Sequence, residues 1–194
     1  MKEPNYQPRD RQEWRNWLQE NHQQTDGIWL ITFKKSSGKQ IFNQSEAIEE
    51  ALCFGWIDSQ PAKLDDERTM LYFSPRKAGS GWSKLNKERI AKMVEADLMQ
   101  PSGLEKITLA KQDGSWAKLD AVEALEIPAD LEAAFQDYPN SRQNFKAFPP
   151  SAQRGILEWI IQAKRDTTRS KRVQETAQLA SKNQRANQWP KPKP

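Results

Sequence analysis

Apolar residues in the first third of the chain follow a helical period and then an extended one. Trp14, Trp17 and Leu18 lie at the three- and four-residue spacing of one helical face. They predict a helix over about 10–21. The segment 28–35 then carries β-branched and aromatic residues on both of its faces, which is typical of a strand covered on both sides.

A second helix and two further strands are predicted next. Asn43 has Glu46 three residues later, the spacing of a capping box, and Gly55 suits the residue that follows a helix C-terminus. The chain is then predicted to be extended over 56–61, with Trp56 and Asp58 on one face and Ile57 on the other, and again over 68–74, where Thr69 to Phe73 form a largely apolar run. These two segments predict a hairpin, because a turn-forming pair of aspartates separates them.

Beyond the hairpin the pattern is helical. The third helix is predicted to start near Ser80 or Ser83 and to run to about Ala96, and further helical segments follow. We therefore expect an α+β fold: a small antiparallel or mixed sheet of about three strands, packed with helices and followed by an all-helical C-terminal half. The three predicted strands are 28–35, 56–61 and 68–74.

The length of 194 residues is enough for one domain with its own core. We expect a single α+β domain over 1–181, in which about 120–181 forms a helical subdomain. The segment 182–194 is rich in proline and basic residues, which predicts a tail.

Several classes of function are disfavoured by composition. One cysteine excludes an intrachain disulfide and a cysteine-rich zinc site, and we predict no metal site and no cofactor. Cys53 lies in an apolar helical run, so a buried, inert thiol is favoured over a reactive one. No apolar run has the length of a membrane span, and the N-terminus does not have the pattern of a signal peptide, so we expect a cytoplasmic protein.

Polar residues fall on the apolar face predicted for the third helix. When residues are counted at about 100° each from Trp82, Asn86 and Arg89 lie among apolar positions rather than opposite them. In one interpretation they are structural: Asn86 bonds the helix start and Arg89 pairs with an acid such as Asp58. In the other they line a ligand pocket, since buried polar groups need partners.

The pocket interpretation predicts a site for a small anionic ligand, because arginines and a helix N-terminus suit an anion. The candidate ligand-binding residues are Trp56, Asp58, Arg76, Trp82, Ser83, Asn86 and Arg89.

Positive charge is concentrated at the C-terminal end. From Lys164 onward there are nine lysines and arginines and two acids, a net charge of +7; because the whole chain carries +4, residues 1–163 carry −3. A module that binds a protein or nucleic-acid partner is therefore the alternative function. Its candidate basic surface consists of Lys164, Arg165, Arg169 and Arg172.

An enzyme is the third hypothesis. The single histidine, His22, lies at a predicted helix end, and no nucleophile elbow or phosphate loop is present in the sequence. We therefore predict no catalytic residues, and a hydrolytic pair would have to be built on Asp58.

Several motifs resemble one known family. They include a Trp-Leu pair at 17–18, Gly-Ile-Trp-Leu at 27–30, Phe-Ser-Pro-Arg at 73–76 and Trp-Ser-Lys-Leu-Asn at 82–86. The most specific is the run from Glu46 to Asp58, which ends in Ala-Leu-Cys-Phe-Gly-Trp-Ile-Asp. With these motifs the chain resembles the YdeI/OmpD-associated family, also labelled bacteriocin-protection proteins. The resemblance implies a small soluble protein linked to stress tolerance or bacteriocin protection, and it implies no reaction, cofactor or catalytic residue.

Overall fold

The computed structural model describes residues 4–39 and 42–188. The chain forms two compact units, with the boundary between Lys118 and Leu119. The first unit contains the sheet, and the second is helical. Whether 1–181 behaves as a single domain stays a prediction.

The sheet of the first unit is mixed and has four strands among the described residues, in the order β1-β2-β4-β3. β4 is antiparallel to both of its neighbours, whereas β1 runs parallel to β2. The strands are β1 (Asn5–Tyr6), β2 (Ile28–Phe33), β3 (Trp56–Lys63) and β4 (Arg68–Pro75). The predicted α+β class is confirmed. The expected count of about three strands was one too low, because a two-residue strand is too short to show alternation.

β2 ends earlier than predicted and β3 ends later, and each difference has a physical reason. β2 ends at Phe33 rather than at residue 35, because a 3-10 turn begins at Lys35. β3 continues to Lys63 although it contains Pro61, which cannot donate a hydrogen bond to a neighbouring strand. Proline is tolerated there because β3 is the last strand of the sheet and its pairing is irregular between Asp58 and Pro61.

Four α-helices pack with the sheet of the first unit: α1 (Arg11–Asn21), α2 (Gln44–Cys53), α3 (Lys84–Glu95) and α4 (Pro101–Gln112). The predicted capping box of α2 is present in full. The Glu46 amide donates to the Asn43 side chain at 3.1 Å, and the Asn43 amide donates to the Glu46 carboxylate at 2.7 Å. Gly55 has a φ of 78°, as expected for the residue after a helix C-cap.

Three tryptophans are the largest side chains in the core of the first unit. Trp14, Trp56 and Trp82 are almost entirely buried, and Trp14 stacks on Trp17 with ring centres 5.2 Å apart. The indole N–H of Trp14 donates to the Ala47 carbonyl at 3.1 Å, so the buried ring keeps a hydrogen-bond partner.

A buried ion cluster ties α1 to α2. The Glu50 carboxylate, 3% exposed as a residue, accepts from Arg11 Nε and Arg15 Nη1, each at 2.6 Å. Arg15 also donates to the Leu98 carbonyl at 2.7 Å. Cys53 is buried beside this cluster, and burial raises the pKa of its thiol to about 11, which keeps it protonated at neutral pH, as an inert thiol requires.

The N-terminal turn of α4 packs directly against the C-terminal end of α2. The Gln100 amide donates to the Cys53 carbonyl oxygen at 3.1 Å. Gly103 lies against the same carbonyl, and a Cβ built there would be 2.2 Å from the Cys53 oxygen. This close approach requires glycine, because no other residue lacks a Cβ.

The second unit consists of α5 (Asp120–Glu123), α6 (Ala129–Gln136), α7 (Ser141–Ala147), α8 (Pro150–Ile161) and α9 (Asp166–Ser181). α9 packs against α6, α7 and α8, and the core between them includes Phe145 and Ile156. The predicted tail begins at residue 182. Within it Ala186 is buried, and 189–194 lie outside the described residues. No helix in the described ranges has both the length and the apolar character that crossing a membrane requires.

We predict that Gly103→Ala lowers the free energy of unfolding by about 1–3 kcal/mol, the usual cost of overpacking a tight contact. The added methyl group would collide with the Cys53 carbonyl, a backbone atom that cannot rotate away. Urea denaturation measures the change.

Gly155→Ala is the matched control, because Gly155 is also helical but has no atom within 4 Å of the position that a Cβ would take. It should raise the free energy of unfolding by about 0.5–1 kcal/mol, since alanine restricts the unfolded chain. If both substitutions changed the free energy of unfolding by the same amount, the close contact between Gly103 and the Cys53 carbonyl would be contradicted.

Candidate functional site

Arg76 is the residue that directly follows β4, and its backbone position is fixed by the turn after α2. Its amide donates to the Gly55 carbonyl at 2.9 Å. The residue is only 6% exposed although it is charged. The end of the sheet therefore places an arginine side chain inside the first unit.

The guanidinium of Arg76 is held by a ring and by a loop. Its central carbon lies 3.6 Å from the ring centre of Trp82, a close cation–π contact. Nη2 donates to the carbonyls of Ser80 and Gly81, so the side chain closes the loop that follows it. Nε is buried and has no hydrogen-bond partner. One donor of a nearly immobile cation is thus left unused.

Burial makes the charged form of Arg76 less favourable than it would be in water. Burial lowers the pKa of Arg76 to about 10, and the nearby Asp58 carboxylate offsets only part of this effect. The lowering corresponds to a cost on the order of 3 kcal/mol for the charged form. The guanidinium nevertheless keeps its proton at neutral pH, which means that the unit contains a desolvated positive charge.

Arg76 and Trp82 line a small cavity between the loop and α4. Its volume is about 30 Å³. A water molecule needs about 10–15 Å³ on this measure, and a whole metabolite occupies a pocket of roughly 300–1,000 Å³. The cavity therefore has room for two or three oxygen-sized atoms. Its lining residues are Arg76, Lys77, Ala78, Gly79, Trp82, Lys106, Leu109, Ala110, Asp113 and Ser115.

Asp113 holds the two walls of this cavity together. Its carboxylate accepts the Gly79 amide of the loop at 3.2 Å and the Ser115 amide at 2.8 Å. Lys118 donates to the Gly79 carbonyl, also at 3.2 Å. Hydrogen bonds from Ser115, first from its side chain and then from its amide, hold the pKa of Asp113 below its usual value. The loop is thereby tied to the end of α4.

A second tryptophan extends the aromatic wall. The ring centres of Trp82 and Trp116 are 5.1 Å apart and tilted by 46°. The ammonium groups of Lys87 and Lys111 lie over Trp116, at 5.2 and 5.4 Å from its ring centre. Positive groups therefore flank both indoles.

Two other predicted residues, Asn86 and Arg89, form a separate group. Trp82 precedes α3, which begins at Lys84 after the N-cap Ser83, so the helical angle assigned to Trp82 does not apply. Arg89 donates to the Asn86 side-chain oxygen at 2.8 Å and to the Ser45 hydroxyl at 3.1 Å.

Ser83, Trp56 and Asp58 take different positions again. The Ser83 hydroxyl accepts the Asn86 amide at 3.3 Å, as an N-cap does. Trp56 is buried in the core, where its indole N–H donates to the His22 carbonyl at 3.0 Å. Asp58 is half-buried on β3 and acts on Arg76 through its charge. The structure thus brings Arg76 and Trp82 into the cavity, with Asp58 nearby.

The predicted basic surface of the second unit is partly engaged within that unit. Arg169 forms a two-point contact with Asp130, at 2.6 and 3.0 Å. Arg172 donates to the Trp159 carbonyl and lies over that ring, 4.9 Å from its centre. Lys164 and Arg165 are exposed. Across the described ranges, no group of three or more His, Cys, Asp or Glu side chains is arranged to hold a metal ion.

The α4 side of the cavity was not found from sequence. This side includes Lys106, Leu109, Asp113 and Ser115, which lie 30 to 39 residues after Arg76 and show no motif of their own. Gly103 nevertheless gave a sequence signal for this packing, because it is a glycine inside one of the helical segments predicted after the hairpin. Such a residue indicates close packing, and here it is what brings α4 to the loop.

Two family models match the chain. Residues 6–106 match the domain of unknown function DUF8412, and residues 124–183 match the model described as bacteriocin-protection, YdeI or OmpD-associated. The resemblance drawn from sequence is confirmed by the second match, although most of the motifs that suggested it lie within the first. No curated protein and no solved structure gave a significant match.

We predict that the Gly79 and Ser115 amide resonances respond to acid with a midpoint below 3.8, the ordinary pKa of an aspartate. Because the folded-state pKa of Asp113 is lowered, its hydrogen bonds persist as the pH falls to 3.8 and are lost only below it. An NMR titration of the two amides measures the midpoint. In Asp113→Asn this step should disappear, and a midpoint at or above 3.8 in the unsubstituted protein would refute the role of Asp113.

Proposed function

We propose that this member of the DUF8412 family, whose model covers more than half of the chain, is a non-catalytic protein that binds a small anionic ligand at Arg76. Residues 124–183 match the bacteriocin-protection, YdeI or OmpD-associated model. The observation that carries this proposal is the buried Arg76 guanidinium, which lines a cavity and has no carboxylate of the described residues in contact with it.

A buried charge is ordinarily paired, because desolvation without a partner is costly. Within residues 4–39 and 42–188, no carboxylate lies in salt-bridge contact with Arg76, and Asp58 acts on it only from a greater distance. A bound anion would supply the missing partner.

The arrangement favours binding because it is fixed in advance. Trp82 and the carbonyls of Ser80 and Gly81 already hold the guanidinium, so little side-chain freedom is left for a ligand to remove. Lys77 and Lys106 add positive charge to the lining. Asp113, the acid of the lining, is occupied by the Gly79 and Ser115 amides, which suits a structural role better than proton transfer.

The basic face of α9 supports the alternative function less well. Arg169 donates hydrogen bonds to Asp130, and Arg172 donates to the Trp159 carbonyl. A partner would have to break these hydrogen bonds before it could bind either arginine. Anion binding in a cytoplasmic protein is accordingly the function we propose, and bacteriocin protection or stress tolerance is the process we propose that it serves.

The test is a thermal-shift screen of carboxylates and phosphates against the full chain, followed by titration calorimetry. A ligand present at about 100 times its Kd stabilises the folded state by about 2.7 kcal/mol, which raises the Tm measurably. Arg76→Lys should weaken binding by about tenfold or more, because lysine keeps the charge but loses the planar fork that stacks on Trp82.

Arg9→Lys is the control, since it makes the same chemical change at an exposed residue of the same unit. It should leave the affinity unchanged. Absence of any anion that raises the Tm at millimolar concentration, or equal affinities for Arg76→Lys and the unsubstituted protein, would rule the proposal out.

A further inference from the structure

We propose that the anion is the doubly charged phosphoryl group of a phosphate monoester, which enters the cavity end-on while the rest of the ester stays outside. This inference rests on the proposed function of Arg76 and adds the class of ligand. Three features carry it: the local charge, the origin of the positive groups, and the size of the cavity.

The charge around the cavity matches a dianion. The lining contains three cations, Arg76, Lys77 and Lys106, and one acid, Asp113, a balance of +2. Two further charged residues lie close to the lining: Lys118, which donates to the Gly79 carbonyl, and Asp58, which acts on Arg76. Their charges are opposite, so the net charge around the cavity remains +2. A phosphate monoester carries about −1.5 to −2 at neutral pH, whereas a carboxylate carries one charge.

The cations come from two separate segments. Arg76 and Lys77 are consecutive residues of the loop after β4, and Lys106 belongs to α4. A phosphoryl group offers three acceptor oxygens arranged around phosphorus, so the loop and α4 can each meet a different oxygen. A carboxylate offers two oxygens in one plane, which a single guanidinium satisfies by itself.

The size of the cavity sets how far a ligand can enter. A volume of about 30 Å³ admits the terminal oxygens and excludes a ring or chain. At the rim, Leu109 is 44% exposed and Ala78 is exposed as well. Because both also line the cavity, the organic part of an ester would lie against apolar side chains rather than in water.

The experiment compares phenyl phosphate with benzoate, two ligands with the same ring, by titration calorimetry on the full chain at pH 5.0 and pH 7.5. With a second pKa of about 6, roughly one-tenth of the phosphate ester is dianionic at the lower pH and nearly all at the higher. Benzoate keeps its single charge at both. The affinity ratio of phenyl phosphate to benzoate should therefore rise about tenfold, and titration of protein groups largely cancels in that ratio.

A ratio that stays constant between the two pH values would overturn the phosphoryl inference while leaving anion binding at Arg76 intact. Failure of both ligands to bind, together with a negative anion screen, would instead remove the proposed function itself. Inorganic phosphate is the third ligand to be titrated, and it should bind more weakly than phenyl phosphate. Equal affinities would contradict the inference that the ligand is a phosphate monoester whose organic part contributes to binding.

Lys106→Gln tests whether a cation from α4 acts together with those of the loop. It keeps the Cγ methylene that lies beside Gly55 and removes the charge, so the fold should be retained. Phenyl phosphate binding at pH 7.5 should fall at least fivefold, and benzoate binding should fall less. Lys35→Gln removes the same charge at an exposed residue outside the lining and should change neither affinity. Equal losses for the two ligands in Lys106→Gln would contradict the inference.

Discussion

The contact between the Cys53 carbonyl and the start of α4 is the constraint on which the first unit depends. The carbonyl accepts the Gln100 amide and lies against Gly103, so α4 can approach only where a side chain is absent. The next turn of backbone, at Gly55, holds the Arg76 amide. One junction thus fixes both walls of the cavity: the loop that begins at Arg76 and the helix that supplies Lys106.

Local chemistry explains why much of the fold could be predicted. Asn43 and Glu46 form the expected capping box, and Gly55 adopts the left-handed conformation expected after a helix. These features depend on neighbours within four residues, which a sequence displays directly. β1 was missed because two residues carry no periodicity, and the extension of β3 through Pro61 depends on its place at the sheet edge, which only the assembled sheet determines.

The candidate site was predictable only in part, for a related reason. Arg76 and Trp82 are close in sequence and were identified together, whereas Lys106 and Asp113 reach the cavity through the packing of α4 on α2. Asn86 and Arg89 stood out as polar residues on an apolar stripe. In the fold Arg89 donates to Asn86 and to Ser45, and only its Nε is left without a partner in the described part of the chain. A helical wheel identifies a polar residue in need of a partner, and it does not say which partner the fold supplies.

The position of α9 in the second unit has a consequence for synthesis of the chain. α6, α7 and α8 are short or have a single apolar face, and each of them packs against α9, which is translated after all three. The sheet of the first unit is complete in sequence by Pro75, long before that. The core of the second unit therefore cannot close until α9 has been made, and a nascent chain stopped short of Asp166 would expose apolar surface that chaperones and proteases recognise.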